Sequence, residues 1–474
     1  MKKTIEADLC VIGGGSGGLS LAAGAAQMGA RTVLIEAHKM GGDCLNTGCV
    51  PSKSLLAAAH AAEAIRGAGR FGINGHEPAI RFKDVHDHVH GVIAAIAPHD
   101  SVERFASLGC TVIQARGRFV SPDTLEAGET RVKARRFVVS TGSRPMVPPI
   151  PGLKDTPYFT NDTIFDNASA PEHLIVIGAG PIGCELAQAH RRLGARVTIL
   201  DKGPMLPNDD PELTAVVKMH LLAEGIEIFE RVNIDRVERQ GNGIAVTLEF
   251  DGSRRAIAGS HLLVAAGRKA NVEDLGLEAA GIKFSPKGIE VDQRLRSTNA
   301  RVFAIGDATG AYQFTHVAAY HAGIVIRNAL FRLPAKVDYR ALPWVTYTDP
   351  ELAHVGLTER QARERHGEIR VLKMPFADND RAQAERQTSG QVKVIVTAKG
   401  EILGASIVGG HAGELLQPWV LAISAKLKIG AMAQIIAPYP TRGEINKRVA
   451  GSFYTPSLFS ERTRKVVRFL GMFG

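Results

Sequence analysis

The fold is decided by residues 7–42, ADLCVIGGGSGGLSLAAGAAQMGARTVLIEAHKMGG. A short apolar strand runs into Gly13-x-Gly15-x-x-Gly18, an alanine-rich helix follows, and a second strand ends at Glu36. The first glycine makes a tight turn, the second lets the backbone approach a pyrophosphate, and the third lets the helix pack against the strand. The helix N-terminus attracts phosphate charge and the carboxylate accepts ribose hydroxyls. The segment therefore predicts a dinucleotide-binding βαβ unit.

The same pattern recurs at residues 173–204, HLIVIGAGPIGCELAQAHRRLGARVTILDKGP. Here the glycines are Gly178, Gly180 and Gly183, and the acidic strand end is Asp201. Two such units imply two dinucleotides, most simply FAD and a nicotinamide nucleotide. The carboxylate would repel a 2′-phosphate and favours NAD, while the lysine that follows it keeps NADP as the alternative.

Three further strand ends carry turn or acidic residues. In the segment 135–152, RRFVVSTGSRPMVPPIPG, an apolar strand is followed by a proline-rich stretch, which is typical of the connection from one domain to the next. A matching strand and turn, LLVAAGRKAN, closes the second unit at Gly267. In ARVFAIGDATG, the strand ends at Asp307, which either accepts a cofactor hydroxyl or caps a helix that begins near Phe314.

Composition excludes several classes of protein. A chain of 474 residues should divide into about three domains, and 45% hydrophobic with 22% charged residues is typical of a globular protein. The net charge is +9, but its basic residues are spread along the chain, so nucleic-acid binding is not expected. No signal peptide and no transmembrane run is expected either, which makes the cytoplasm the default location. Five cysteines are too few for a disulfide-built scaffold.

Two of these cysteines, Cys44 and Cys49, lie in GGDCLNTGCVPSK. Structural zinc needs about four ligands, and no second cysteine or histidine pair accompanies them, so we predict no metal site here. Residues five apart on a regular helix have Cα atoms about 8–9 Å apart. A disulfide needs about 4.4–6.8 Å, so a bonded pair requires an irregular segment. Cys49 would then precede a helix N-terminus, where partial positive charge and Lys53 favour a thiolate, and we favour a redox pair over a structural staple.

These motifs together resemble the flavoprotein pyridine nucleotide–disulfide oxidoreductases, a family that includes dihydrolipoamide dehydrogenase and mercuric reductase. The resemblance extends over nearly the whole chain through GGGSGG, CLNTGCVPSK, STGSRP, GAGPIGCE, VFAIGDATG and YTDPELAHVGLTE. It implies an α/β fold with two Rossmann-like domains and a C-terminal α+β dimerisation domain, assembled as a homodimer. The expected boundaries are 1–148 for the first part of the FAD domain, 149–268 for the NAD(P) domain, 269–340 for the second FAD part and 341–474 for the interface domain.

The resemblance also assigns roles to residues. A nicotinamide hydride would reach the flavin, the flavin would reduce the disulfide through Cys49, and Cys44 would exchange with substrate. Lys53 would lie near the flavin and pair with Glu185. The implied FAD site comprises Gly13, Gly15, Gly18, Glu36, Gly42, Thr141, Gly142 and Asp307. The implied NAD site comprises Gly178, Gly180, Gly183, Asp201 and Gly267.

The chain departs from this family in the interface domain. Dithiol-handling members carry a His-Pro pair followed by Glu, and the His of the partner subunit is their acid–base group. Here the stretch reads APYPTRGEINKR, with Tyr439 in place of His while Glu444 matches. Tyrosine titrates near pH ~10, so it is a poor base at neutral pH, although it can donate a hydrogen bond or approach a soft metal ion. The alternative is that Tyr439 only packs at the dimer seam.

The electron acceptor is therefore left open. Tyrosine at this place resembles mercuric reductase, but the last cysteine of the chain is Cys184, so the terminal cysteine pair of that enzyme is missing. We expect a disulfide, a thiol-bound species or a metal ion as acceptor. The alternatives are an electron-transfer flavoprotein that reduces quinone, metal ion or oxygen without a disulfide, and an assembly subunit that keeps FAD only for folding.

Two other segments stand apart from these motifs. His86, His88 and His90 alternate along HDHVH, and alternate spacing scatters side chains around a helix, so we favour a solvated helix over a metal site. The C-terminal SERTRKVVRFLGMFG is basic with interleaved apolar residues. It suits an acidic membrane surface or a partner, although we expect it to pack against its own interface domain.

Overall fold

The computed structural model describes residues 2–473. They divide into two compact units. The N-terminal unit comprises residues 2–202 and 226–337, and the C-terminal unit comprises residues 203–225 and 338–473.

The strands and helices follow in chain order. The strands are β1 Lys3–Ile12, β2 Thr32–Glu36, β3 Cys110–Gln114, β4 Gly117–Ser121, β5 Thr124–Ala127, β6 Thr130–Val139, β7 Ser143–Pro145, β8 His173–Ile177, β9 Arg196–Asp201, β10 Glu227–Glu230, β11 Asn233–Gln240, β12 Gly243–Phe250, β13 Ser253–Gly259, β14 His261–Val264, β15 Arg268–Ala270, β16 Phe284–Ser285, β17 Gly288–Ile289, β18 Val302–Ala304, β19 Pro343–Thr346, β20 Glu351–Gly356, β21 Arg370–Pro375, β22 Gln391–Val396 and β23 Ile402–Gly409. The helices are α1 Ser16–Gln27, α2 Gly42–Asn46, α3 Cys49–Arg66, α4 Phe82–Ile96, α5 Val102–Ser107, α6 Pro181–Arg192, α7 Pro211–Ala223, α8 Thr315–Ala329, α9 Glu359–His366, α10 Asp380–Ala384, α11 Ala412–Leu415, α12 Gln417–Ser424, α13 Ile429–Ala433, α14 Glu444–Gly451, α15 Thr455–Leu458 and α16 Glu461–Leu470.

The first sheet has the strand order β3-β2-β1-β6-β5-β4, with β18 paired to β6. Strands β2, β1, β6 and β18 are parallel to one another. Strand β2 is buried along its whole length, as expected of a parallel strand covered on both faces. Because the carboxyl ends of parallel strands meet at one sheet edge, the turns after β1, β6 and β18 lie side by side. Ser140 N donates to Ile12 O, and Ile305 N donates to Val139 O.

The second sheet is smaller and has the order β10-β9-β8-β14, with every pairing parallel. An antiparallel sheet, β11-β12-β13, shares its apolar core, which includes Ile175, Leu200 and Val246. Strand β7, which follows the first sheet, pairs with β15, which follows the last strand of the second sheet. This sheet therefore carries the second glycine motif on its own parallel framework.

The C-terminal unit is built on the antiparallel sheet β19-β20-β23-β22-β21. Trp419 and Phe376 are fully buried in its core. Helix α7 belongs to this unit through the buried Lys393, which binds Asp210 immediately before the helix. Residues 203–225 thus group with the C-terminal unit, although they fall within the expected second domain.

The architecture confirms the predicted α/β class with two dinucleotide-type sheets and a C-terminal α+β region. Among the described helices, none is long and apolar enough to cross a bilayer. One expectation is wrong: no residue of α16 is buried, so the C-terminal segment does not pack its apolar side chains against the interface domain. Helix α16 has a basic face and an apolar face. No part of the described residues 2–473 buries either face.

Candidate active site

The first glycine turn has the geometry that its sequence predicts. Gly13 has a φ of +111°, a conformation that a residue with a Cβ rarely adopts. A Cβ on Gly18 would lie 1.9 Å from Gly13 O, so α1 packs directly on β1. Gly15 caps α1 without any side-chain bond, which leaves the first N–H groups of the helix directed at the turn. The main chain around these glycines therefore fits a pyrophosphate.

Glu36 closes this turn from the end of β2. It is 8% exposed, and its carboxylate accepts hydrogen bonds from Gly14 N at 2.6 Å and from His38 N at 2.7 Å. Two backbone donors hold the carboxylate at the carboxyl edge of the sheet. A ribose hydroxyl is the group that such a carboxylate accepts, so the residues present fit FAD.

The second turn repeats this arrangement in the second sheet. Gly178 has a φ of +117°, and a Cβ on Gly183 would lie 1.9 Å from Gly178 O. No atom lies within 4 Å of a Cβ built on Gly180, so open space faces the start of α6. Asp201 Oδ2 accepts a hydrogen bond from Ala179 N at 2.6 Å, as Glu36 does in the first turn. These residues fit a second dinucleotide.

The turns after β6 and β18 form a polar cluster beside the first fingerprint. Thr141 Oγ1 donates to Asn271 O at 2.7 Å, and Ser143 Oγ donates to Asp307 Oδ2 at 2.5 Å. Burial raises the pKa of Asp307, while the Ser143 hydrogen bond and the nearby Arg268 lower it. Asp307 lies in a 3₁₀ turn, Gly306–Thr309, and does not cap α8, whose N-cap residue makes no side-chain bond. The capping alternative is thereby removed.

Gly142 and Gly267 shape the crossing between the two sheets. Gly142 has a φ of +70° and accepts a hydrogen bond from Asn271 N through its carbonyl. Gly267 O accepts from Met146 N at 2.9 Å, just before β15 pairs with β7. These contacts fix the two turns to each other, and Gly267 follows the last strand of the second sheet, as its sequence position predicts.

The cysteine segment is irregular, as the disulfide geometry requires. Cys44 lies in the one-turn helix α2. Thr47 and Gly48 are not helical, and Cys49 is the first residue of α3. Both cysteines are free thiols in this structure. The segment is also fixed to the first glycine turn, since a Cβ on Gly42 would lie 2.7 Å from Gly15 Cα.

The electrostatic environment separates the two thiols. The hydrogen bond from Cys44, followed by that from Thr315 and by the charge of Lys53, lowers the pKa of Cys49 to about 6. The pKa of Cys44 is raised by its hydrogen bond to Cys49 and by burial. Cys49 is therefore the thiolate at neutral pH and Cys44 the protonated partner.

Thr315 is a site residue that the sequence reasoning missed. Its Oγ1 lies 3.3 Å from Cys49 Sγ, and it is the first residue of α8. The N-termini of α3 and α8 therefore meet at this sulfur, and both favour negative charge there. The sequence showed only a polar residue near the start of a predicted helix. It contained no pattern that would place this residue next to the cysteines.

Lys53 and Glu185 form the predicted pair. Lys53 Nζ lies 2.8 Å from Glu185 Oε2, which joins the second turn of α3 to the start of α6. The Glu185 side chain is 6% exposed and the Lys53 side chain 39% exposed. The carboxylate thus fixes an ammonium group one helical turn beyond Cys49.

Asp43 is a second residue that the sequence did not single out. Its carboxylate accepts hydrogen bonds from Thr47 Oγ1 at 2.7 Å and from Asn161 Nδ2 at 3.2 Å, and it pairs with Arg268 at 3.1 Å. These partners come from distant parts of the chain. They hold the loop between the two cysteines in place.

A shallow cavity of about 410 Å³, wide open to solvent, lies beside Cys49 and is lined by residues of α3 and α4. Its walls are mainly small or apolar, and its polar members include Lys53 and His88. The lining residues are Cys49, Val50, Lys53, Ser54, Ala57, His88, Val92 and Ile96. A small molecule in this space would have direct access to the thiolate.

The histidines of α4 behave differently from one another. His86 and His90 are one turn apart, with ring centroids separated by 4.3 Å, and His90 Nε2 lies 3.0 Å from Phe165 O. His88 lines the cavity instead. Within residues 2–473, no group of three or more His, Cys, Asp or Glu side chains is arranged to hold a metal ion.

Tyr439 and Glu444 lie in the C-terminal unit, whereas the cysteines lie in the N-terminal unit. The Tyr439 side chain is 69% exposed, and its hydroxyl donates to Asp380 Oδ2 at 2.8 Å. This hydrogen bond and the charges of Asp380 and Glu444 raise the pKa of Tyr439. Tyr439 is therefore a weaker acid here than an ordinary tyrosine, and it does not pack within its own chain.

Comparison with known proteins identifies the family to which this fold belongs. Residues 7–322 match the model of the pyridine nucleotide-disulphide oxidoreductase family, and residues 342–450 match the dimerisation domain of the same family. Mercuric reductase from Streptomyces lividans is 35% identical, with 94% of this chain and 96% of that protein covered. Dihydrolipoyl dehydrogenase from Geobacillus stearothermophilus is 34% identical, with 94% and 96% covered. The Cu(II) complex of the HOCl-induced flavoprotein disulfide reductase RclA from Escherichia coli superposes with a TM-score of 0.85 at 27% identity, covering 94% of this chain and 99% of that chain.

The matched regions include both glycine turns, the cysteine segment and the C-terminal antiparallel sheet. The dimerisation domain supports the expected homodimer. The chain therefore belongs to the pyridine nucleotide-disulphide oxidoreductase family, whose members are FAD-dependent enzymes that use NAD(P)H.

Proposed function

We propose that this chain is an NADH-dependent reductase whose electrons leave through Cys44 and Cys49. The observation that carries the proposal is the Cys49 thiolate, held at the N-termini of two helices and next to the Lys53–Glu185 pair. A stabilised thiolate is the reactive form of cysteine. A purely structural cysteine pair would need neither the charge nor the open cavity beside it.

FAD, when bound, supplies two-electron transfer between a nicotinamide and the cysteine pair. The residues of the chain do the rest. Lys53 keeps positive charge near Cys49 and favours its ionised form. Cys44 exchanges with the acceptor once it gives up its proton, and oxidation of this thiol and the Cys49 thiolate to one disulfide releases two electrons and one proton.

An anaerobic titration of the holoenzyme tests the relay. Addition of two electrons from NADH should produce the long-wavelength absorbance of a thiolate beside oxidised flavin. Cys49→Ser should abolish this band and acceptor reduction, whereas Cys110→Ser, which alters a buried thiol outside the site, should change neither. Unchanged acceptor reduction in Cys49→Ser would instead identify an electron-transfer flavoprotein without a disulfide. Absence of any reduction by NADH or NADPH would identify an assembly subunit.

The preference for NADH rests on Asp201. Its carboxylate stands at the end of β9 and is fixed by Ala179 N, where a 2′-phosphate would meet negative charge. Asp201→Asn should therefore lower the ratio of kcat/KM for NADH over NADPH, and Lys202→Ala, at the exposed neighbouring position, should raise it. A wild-type preference for NADPH would contradict the assignment.

For the acceptor, we favour a soft metal ion bound by thiolates. A metal ion takes two electrons without a proton, so its reduction does not need the base that Tyr439 fails to supply. The hydrogen bond from Tyr439 to Asp380 keeps its hydroxyl protonated at neutral pH. Reduction of Hg(II) in the presence of excess thiol should therefore occur in the wild type and persist in Tyr439→Phe.

A small disulfide such as lipoamide is the second candidate, because one relative at 34% identity is a dihydrolipoyl dehydrogenase. Cys44 would be the thiol that exchanges with it. This reaction needs an acid–base group, so Tyr439→His should create or raise lipoamide activity with a bell-shaped pH profile. Strong lipoamide activity in the wild type that Tyr439→Phe abolishes would overturn the preference for a metal ion.

A further inference from the structure

Helix α16 presents an uncovered apolar face at the C-terminal end of the described chain. Val467, Phe469 and Leu470 are 63%, 55% and 60% exposed, and Met472 and Phe473 that follow are 74% and 75% exposed. Single exposed apolar residues are normal on protein surfaces, but a contiguous set marks a binding surface. Leu458 and Phe459, just before the helix, are also exposed and extend this set.

The opposite face of the same helix is basic. At about 100° per residue, Arg464 and Arg468 share one face, while Val466 and Leu470 share the opposite one. Residues 461–470 contain four basic side chains, Arg462, Arg464, Lys465 and Arg468, and one acidic side chain, Glu461. All four basic side chains are exposed. Arg464, Lys465 and Arg468 fall within about 100° of one another, whereas Arg462, four residues before Val466, borders the apolar face. A helix with basic and apolar residues on separate faces is typical of one that lies in the plane of a lipid surface.

Two observations argue against a second copy of the chain as the occupant. The match to the dimerisation domain ends at residue 450, before α15 and α16 begin. The same helix in a second copy would also carry four basic side chains against one acidic, so two such helices in contact would repel each other. An anionic lipid surface offers both an apolar layer and complementary charge.

We propose that residues 458–473 dock the enzyme on anionic membranes, with α16 lying in the interface and its apolar face inserted. Docking places the reductase at the membrane without a spanning segment. The basic side chains reach back to the lipid phosphates with their apolar stems along the boundary. Neither the glycine turns nor the cysteine site lies in this segment, so docking is separable from turnover.

The test is co-sedimentation of the full-length holoenzyme with vesicles. Vesicles of phosphatidylcholine alone are compared with vesicles that also contain phosphatidylglycerol. The wild type should bind the second kind at low salt and lose binding as salt is raised, because surface charges are screened. Arg464→Glu/Arg468→Glu should lower the partition coefficient by at least about tenfold. Val467→Ser/Leu470→Ser should lower it as well, because apolar insertion is lost.

The matched control is Arg360→Glu/Arg365→Glu on the exposed helix α9, which changes the net charge by the same amount elsewhere. It should retain vesicle binding, and every variant should retain NADH-dependent turnover, which shows that the fold and the site are intact. Failure of the wild type to bind anionic vesicles would overturn the proposal. An equal loss in the α9 control would also overturn it, because binding would then follow total charge. Dissociation of the Val467→Ser/Leu470→Ser dimer without lipid would assign the apolar face to a second copy instead.

Discussion

Cys49 illustrates how a few contacts set the reactivity of a residue. A free cysteine thiol has a pKa near ~8.5 and is mostly protonated at neutral pH. Here Cys44, Thr315 and Lys53 stabilise the ionised form and lower the pKa to about 6. Because the folded-state pKa is depressed, the stability gained from ionisation is fully present above the unfolded value and is lost as the pH falls through about 6.

Removal of the Cys44 hydrogen bond should reverse this shift. In Cys44→Ala, we expect the pKa of Cys49 to rise from about 6 towards the ordinary value, since the largest cause of its depression is gone. Cys44→Ser keeps a donor at the same place and should shift the pKa less. The pH dependence of Cys49 alkylation, resolved by mass spectrometry, measures the midpoint. Equal midpoints in Cys44→Ala and the wild type would show that the helix termini and Lys53 suffice.

The Lys53–Glu185 pair has two roles that a double variant separates. Lys53→Met leaves the nearly buried Glu185 carboxylate without its ammonium neighbour, which should cost about 1–3 kcal/mol of folding free energy. It should also raise the pKa of Cys49, because a positive charge is lost.

Lys53→Met/Glu185→Leu should recover most of the stability but not the low pKa of Cys49. Denaturant unfolding and the alkylation profile measure the two effects. Full recovery of both in the double variant would mean that Lys53 acts only as a partner for Glu185.

At the scale of elements, the glycine turns control how closely each helix approaches its strand. Both third-position glycines face a carbonyl that an added Cβ would meet at 1.9 Å. The contact is to backbone, which cannot move aside as a flexible side chain can. The approach of α1 to β1 therefore depends on a missing side chain, and the position of the phosphate-binding N–H groups depends on that approach.

Two glycine-to-alanine changes should have opposite effects. Gly18→Ala should displace α1, lower the FAD content of the purified protein and destabilise it by about 1–3 kcal/mol through overpacking. Gly323→Ala, within α8 and with no atom within 4 Å of its Cβ, should stabilise by about 0.5–1 kcal/mol. Flavin absorbance and thermal unfolding check both. Normal FAD content in Gly18→Ala would refute the packing argument.

At the scale of the whole molecule, the two units do not follow the order of the chain. Residues 203–225 interrupt the N-terminal unit and join the C-terminal one. Lys393, which is 2% exposed, binds Asp210 at 2.6 Å and Glu359 at 2.7 Å, and Glu212 at 3.2 Å. Burial lowers the pKa of Lys393, but these carboxylates raise it to about 12, so the ammonium group stays charged inside the unit.

Lys393→Met should therefore destabilise the protein strongly, by about 3–5 kcal/mol, because it removes the ammonium group from the buried Asp210 carboxylate. Lys373→Met is the matched control: Lys373 also binds Glu212, at 2.7 Å, but its side chain is 43% exposed. An exposed pair contributes about 0–1 kcal/mol. Calorimetric unfolding of both variants gives the comparison. A loss of similar size in the two variants would show that burial of Lys393 is not what matters.

Several features of this protein followed from the sequence alone. The glycine spacing, Glu36 and Asp201 predicted both dinucleotide turns, because these requirements are local and concern only one strand, one turn and one helix. The cysteine spacing predicted an irregular segment that ends at a helix N-terminus. The structure has two non-helical residues between α2 and α3, as this prediction requires. The resemblance added the Lys53–Glu185 pair, which no local pattern reveals.

Other features were decided only by the tertiary structure. Thr315 reaches Cys49 over 266 residues of chain, because both follow parallel strands that end at one sheet edge. Asp43 binds Arg268 and Asn161, which come from distant segments outside that sheet. The exposure of α16 was also decided there, since its pattern specifies two faces but not whether anything covers them. The sequence by itself determined what each turn can bind. The sequence also predicted the thiolate at Cys49, but the packing of the chain brought Thr315 to it and left the surface of α16 uncovered, since both depend on neighbours that sequence proximity does not specify.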